Sequence, residues 1–192
     1  AQINGATVTD NYVSFDGEND WVNAGQITGL QEVTLEATVM MNEPSEGDAG
    51  FNIISNGNTY GVILSFYKGK CIFTIRRNDE GDGRLTTSKV NIEVGKVYNI
   101  IATYDGATMK IYVNGVLSGE IEFTKGISDP SNNSVMLLGA NPDGNKAQMS
   151  YSNMDLYSAR IYNRALTENE VKQNASGIKG IQEWKTQHTV QL

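Results

Sequence analysis

The sequence predicts an all-β fold, two antiparallel sheets packed as a sandwich and closed by one short helix near the C-terminus. Three observations carry this. Short runs of alternating apolar and polar residues recur about every ten positions, with turn residues between them. Glycine is abundant (20) and proline scarce (3) in 192 residues, which suits many short strands joined by Gly, Asn and Asp turns. A single late segment carries the chemistry of a helix start. A sandwich of roughly 200 residues commonly folds as one unit. At that size it buries roughly 70% of its unfolded surface and needs neither disulfide nor metal to hold a core.

The elements follow in order. Tyr12–Phe15 reads as a strand, turned by Asp16-Gly17 into a second at Asp20–Val22. Val33–Met41 alternates cleanly, with Val33, Leu35, Ala37, Val39 and Met41 on one side and Thr34, Glu36 and Thr38 on the other. Such alternation predicts a strand with one face on the core and the other in water. Phe51–Ser55, Tyr60–Tyr67 and Cys71–Arg77 come next, joined by Asn56-Gly57 and Lys68-Gly69 turns. A polar loop, Arg77–Gly83, precedes Leu85–Thr87. Val97–Tyr104 and Met109–Val113 follow, and Asn114-Gly115 is the strongest hairpin signal because both residues tolerate the positive φ of a type I′ turn. Val116–Ile121, Val135–Ala140 and Asp155–Tyr162 complete the strands, with Tyr157, Ala159 and Ile161 expected on one face of the last.

The helix after this strand is signposted at both ends. Thr167 is the N-cap, Glu170 closes a capping box, Leu166 and Val171 form a hydrophobic staple, and Gly177 marks the stop. Residues 1–177 therefore read as the domain. Residues 178–192, with Ile178, Ile181 and Trp184 among polar residues, form a tail that either packs on the sandwich or begins a linker.

Charge narrows the partners. A net charge of −7 and a pI near 4.7 argue against nucleic acid, which wants a basic face. The same acidity suits calcium or simply solubility. Cys71 shares a face with Phe73 and Ile75 and reads as a buried structural thiol, and the one histidine, His188, stands in the tail. No run of ~18 apolar residues predicts a membrane-inserted helix. No signal peptide is visible, and Ala1-Gln-Ile-Asn-Gly5 reads as mature or excised sequence.

Three blocks in order resemble the laminin-G-like, concanavalin-A-like jelly-roll domains of lectins and glucanases. They are Val13-Ser-Phe-Asp-Gly-Glu-Asn-Asp-Trp-Val22, then Ala102-Thr-Tyr-Asp-Gly106 leading through Lys110-Ile-Tyr-Val-Asn-Gly-Val116, and finally Arg160-Ile-Tyr-Asn-Arg-Ala-Leu-Thr-Glu-Asn-Glu-Val171. The last block is similar to bacterial and phage examples. One stretch departs from the pattern: Met149–Met154 lacks the glycine turn that often precedes the family's last strand. The resemblance implies a jelly roll with one concave sheet, working at an extracellular, cell or virion surface.

Candidate sites follow from residue chemistry and from that resemblance. Asp16, Asn19 and Asp20 cluster oxygen donors in one turn, and the resemblance brings Asp155 beside them, a set suited to a structural Ca2+. Local turn chemistry accounts for the same residues without a metal. Asn78–Gly83 is acidic but lacks the spacing of a calcium loop, so it reads as a solvated hairpin end. Sugar binding needs an aromatic platform beside amide, carboxylate or guanidinium groups. Tyr60 with Asn56 and Asn58, Arg76 and Arg77 at a strand end, and Asn141 with Asp143 supply those types. Trp21 reads as core.

Catalysis finds little support. Retaining glycanases place two carboxylates across the scissile bond, and the Glu-x-Asp-x-x-Glu run of laminarinase-like relatives is absent. The sequence thus predicts a non-catalytic module that binds a glycan or cell-surface polysaccharide, with other domains of a larger chain or virion proteins as further partners. The alternative is an assembly domain of a phage particle or surface protein that makes protein contacts without sugar. Reducing-sugar release from β-glucans would instead mark a hydrolase.

Overall fold

The computed structural model describes residues 1–44, 50–57, 60–77, 81–86 (Thr86 by its backbone), 89–129, 135–141 and 150–182. In chain order the strands are β1 (Gln2–Asn4), β2 (Thr7–Val8), β3 (Val13–Asp16), β4 (Trp21–Gly25), β5 (Val33–Met41), β6 (Phe51–Ser55) and β7 (Tyr60–Tyr67). They continue as β8 (Lys70–Arg77), β9 (Gly83–Thr86), β10 (Val97–Tyr104), β11 (Thr108–Val113), β12 (Val116–Glu122), β13 (Met136–Leu138) and β14 (Asn153–Tyr162), before helix α1 (Glu168–Ala175). Two antiparallel sheets of seven strands result. One runs β1-β4-β13-β6-β7-β8-β9, the other β12-β11-β10-β5-β14-β3-β2.

The core lies between them. Leu35, Ala37 and Val39 of β5 and Ile100, Ala102 and Tyr104 of β10 meet Val62, Leu64 and Phe66 of β7 and Phe73 and Ile75 of β8 in one buried cluster. These are the inward positions of a period-two pattern, so alternation alone selects them. Cys71 belongs to this cluster, and burial pushes its thiol up to about 12, which keeps it protonated and inert. Two turns set the register of two hairpins. Asn114 and Gly115 both take positive φ (51° and 79°) between Val113 and Val116, and Lys68 and Gly69 do the same (48° and 74°) between Tyr67 and Lys70.

Helix α1 packs on the outer face of the second sheet. Leu166 and Val171 join Ile101 and Tyr112 in a separate buried cluster, as the hydrophobic staple requires. The capping box is complete, with the Thr167 hydroxyl accepting from the Glu170 N–H and the Glu170 carboxylate accepting from the Thr167 N–H.

Three expectations change. All nine residues of β5 are buried, not half of them, because α1 and the end of β14 cover its outer side. The Tyr157 side chain leaves the face of Ala159 and Ile161. A bulge between Leu156 and Ser158 makes it the unpaired residue and turns it outward, where it meets Met40, Val97 and Ile178, with its ring 5.4 Å from that of Tyr12. Gly177 directly follows the C-cap, where the sequence sets the stop, without the positive φ of a glycine cap. Ser176 is the C-cap in a right-handed conformation (φ −62°), and residues 178–182 turn helical again, with Ile178 packed on the sheet. Ile178 and Ile181 of the tail pack beside Met40, Val97 and Tyr157. Trp21 is half-buried and sits opposite the inward Val22 in β4, outside the core. Strands β1 and β2 carry too few residues for a periodic signal.

Candidate functional site

The two sheets differ in what covers their outer faces. On the first sheet the outward positions are Ile63, Ser65 and Tyr67 of β7, Ile72, Thr74 and Arg76 of β8, and Arg84 of β9. Register aligns them: Ile63 faces Thr74, Ser65 faces Ile72, and Thr74 faces Arg84. With Asn52, which pairs with Ser65 from β6, and Asn141 they line a depression of about 250 Å³. Its floor combines short hydroxyls and amides with two isoleucine side chains, and its rim carries guanidinium groups and the Tyr67 phenol. This mixture of apolar patches and convergent polar groups is the chemistry of a small-molecule or sugar site.

Hydrogen bonds fix its edges. Arg76 Nη1 donates to Asp82 Oδ2 at 2.8 Å, while Asp82 Oδ1 accepts from the Arg77 N–H at 2.7 Å, so one carboxylate folds the β8–β9 connection onto the strand end. Arg76 Nε is buried and has no hydrogen-bond partner among the described residues. Asn141 is buried and accepts from the Ser55 hydroxyl at 2.9 Å. Lys68 Nζ stands 4.9 Å from the Tyr67 ring centroid, within cation–π range.

The residues expected to bind sugar are divided. Arg76 and Asn141 line the depression. Tyr60 and Arg77 do not. They pair with one another and share the inward side of Val62 and Ile75, because they are an even number of residues from those core positions. Tyr60, Arg76 and Arg77 therefore cannot form one platform. Asn56 is a turn residue whose Oδ1 accepts from the Val62 N–H at 2.7 Å. Asn58 and Asp143 lie outside the described residues. The sequence reading missed Asn52, Ser65, Tyr67, Thr74 and Arg84, although they are the polar half of the same alternation that identified the core.

The turn considered for calcium is held by its own backbone. Asp16 Oδ1 accepts from the Glu18 N–H at 2.8 Å and the Asn19 N–H at 3.4 Å, and Asp20 Oδ2 accepts from the Asp16 N–H at 3.0 Å. The Asn19 carbonyl accepts from Asn4 Nδ2 at 3.1 Å. Asp155 pairs with Ser14 in the register of β14 and β3, while Asp16 pairs with Asn153. Its Oδ1 accepts from the Ser14 hydroxyl at 2.8 Å and from Asn42 Nδ2 at 3.2 Å. A calcium ion takes six to eight oxygen ligands. Here donor hydrogens point at one carboxylate oxygen of each acidic residue, so local hydrogen bonding accounts for the turn without a metal, while the second oxygen of each carboxylate carries no hydrogen bond from a described residue. Among the described residues no three His, Cys, Asp or Glu side chains converge as metal ligands.

Comparison with known proteins agrees with the fold. The laminin G pattern described as the concanavalin A-like lectin/glucanases superfamily matches residues 9–172. No curated protein sequence matches the chain. Among solved structures, the binding domain of Paraclostridial Mosquitocidal Protein 1 superposes with a TM-score of 0.73 at 16% identity, over 92% of this chain and 47% of that one. The Botulinum Neurotoxin Type G receptor binding domain gives 0.68 at 17%, over 91% and 46%. The binding domain of Botulinum Neurotoxin DC, solved in complex with SialylT, gives 0.67 at 15%, over 92% and 44%. The chain thus spans just under half the length of these structures, and the likeness is one of fold.

Proposed function

The chain belongs to the concanavalin A-like lectin/glucanases superfamily, and from that premise we propose that it is a non-catalytic carbohydrate-binding module whose ligand lies on the outer face of the first sheet. The observation that carries this reading is the depression of about 250 Å³, where Asn52, Ser65, Thr74 and Asn141 converge beside Tyr67. Amides and hydroxyls match sugar hydroxyls, and an aromatic ring at the rim can take an apolar sugar face. On the outer face of the second sheet, α1 covers Ile101 and Tyr112.

Binding without bond cleavage fits the carboxylates. A retaining glycosidase needs two carboxyl groups ~5 Å apart. Among the described residues lining the depression the only one is Asp82, which is tied to Arg76. Calcium has no part in this reading. Titration with calcium after chelation should leave the melting temperature unchanged, and a rise would return the Asp16–Asp20 turn to consideration. A polysaccharide ligand would put the domain to work at a cell surface, in the extracellular space or on a virion.

Affinity electrophoresis through gels containing soluble polysaccharides tests the proposal. Retardation by at least one polymer is expected, and Ser65→Trp, which fills the depression from an outward position, should abolish it. Retardation that Ser65→Trp leaves intact would move the site elsewhere. No retardation by any polymer, together with assembly into oligomers or particles, would favour the protein-contact reading.

A further inference from the structure

The charge around the depression runs against that of the chain. The protein carries a net charge of −7. On the outer side of β7, β8 and β9, however, the described charged residues are Lys70, Arg76 and Arg84, with Lys68 on the Tyr67 ring, against Asp82 alone. Arg84 is exposed and forms no salt bridge to any described residue, while Arg76 uses one terminal nitrogen on Asp82 and leaves its buried Nε–H without a partner among the described residues. The two guanidiniums stand on neighbouring strands. Thr74 is opposite Arg84 and Arg76 is the next outward residue, a diagonal cross-strand relation of roughly 7–8 Å. A carboxylate or sulfate between them would receive charge-assisted hydrogen bonds from both sides, and guanidinium geometry favours such groups over a neutral hydroxyl.

We propose that the ligand of this face is an anionic saccharide, with its carboxylate or sulfate bound between Arg76 and Arg84 and its hydroxyls on Asn52, Ser65 and Thr74. The inference rests on the carbohydrate-binding reading above and adds the sign of the ligand. The chain's overall negative charge does not oppose it at contact, because at physiological salt charges beyond about 8 Å are largely screened. Asp82 then acts as an internal competitor, occupying part of Arg76 when the site is empty.

The experiment is affinity electrophoresis of the intact chain in chelator-containing gels with polygalacturonate as the carboxylate polymer, heparin as the sulfate polymer and dextran as the neutral one. Polygalacturonate or heparin should retard the protein more strongly than dextran. Arg84→Gln should weaken that interaction roughly tenfold, the loss of a charge-assisted contact. Asp82→Asn keeps an acceptor for the Arg77 N–H while releasing Arg76, and should strengthen it about threefold, the worth of an exposed ion pair. Retardation by dextran equal to that by the charged polymers would overturn the anionic preference and leave carbohydrate binding standing. No retardation by any of the three or by other polysaccharides would overturn both. Anionic binding unchanged by Arg84→Gln and by Asp82→Asn would also overturn the assignment, by placing the anion elsewhere.

Discussion

The outer faces of the two sheets are built from the same alternating pattern and reach opposite ends. On the second sheet the outward Glu36 of β5 is fully buried. It accepts from Asn99 Nδ2 at 3.3 Å, Arg160 Nη1 at 2.8 Å, Tyr162 OH at 3.2 Å and Asn174 Nδ2 at 2.8 Å, the last of these on α1. Nearby, Leu166 and Val171 clamp the helix onto Ile101 and Tyr112. The groups that donate to Glu36 are spent on the fold, although the buried Asn99 Oδ1 beside them has no partner among the described residues. On the first sheet the outward Asn52, Ser65, Thr74, Arg76 and Arg84 surround a depression that no described element fills. A closed polar network serves stability, and an open one of similar composition is free to serve a ligand.

The comparison breaks if the two faces respond alike to substitution. The largest effect is expected at the closed face. Glu36→Ala would remove the acceptor shared by four donors, of which Asn99 Nδ2 keeps Thr38 and Asn174 Nδ2 keeps Tyr162, and should cost about 3 kcal/mol, allowing for the half-exposed Arg160. Urea unfolding measures it, and the folded fraction should bind polysaccharide as well as the parent. Val171→Ala, at a fully buried helix position, should cost about 2 kcal/mol with the same unchanged binding. Tyr67→Ala inverts the pattern. Its side chain is only partly buried, so stability should shift by less than about 1 kcal/mol while polysaccharide affinity falls at least about tenfold.

The smallest effect is a pH dependence confined to the closed side. Arg164 above all, then the Thr167 N–H and hydroxyl, hold the Glu170 carboxyl down at about 2, against a usual 4.5. A depressed carboxylate stabilises the fold at pH above its unfolded value, and that contribution is lost as pH falls through the folded value. The helix start should therefore weaken between about pH 4.5 and 2. The melting temperature of Glu170→Gln should lose the part of the acid dependence that the parent shows there. Equal acid profiles for the two would remove Glu170 from the account.

What the sequence made legible follows the same division. Strand positions and the capped helix came from local chemistry: Val33–Met41, Tyr60–Tyr67 and Val97–Tyr104 match the structure at both ends. Local chemistry also gave the staple and box, because Leu166, Thr167, Glu170 and Val171 act within one turn. It did not give the burial of Thr34, Glu36 and Thr38, which depends on a helix more than a hundred residues away covering their side of β5. The division of the candidate sugar residues between two faces has a related cause. Tyr60, Arg76 and Arg77 cluster in register but alternate across the sheet, and only the choice of inward face separates them. That choice was available from Val62, Leu64 and Phe66. Applied to the polar residues between them, it selects Ser65 and Tyr67 in place of Tyr60.

Backbone amide chemical shifts followed by NMR during titration with a polygalacturonate oligosaccharide test the central claim most directly. If the open face of the first sheet is the ligand site, perturbations will concentrate in β6, β7, β8 and β9, strongest near Ser65, Tyr67, Thr74 and Arg84, and leave α1 and the Asn114-Gly115 hairpin unchanged. Perturbations centred on α1 and that hairpin, with β7 and β8 silent, would contradict it.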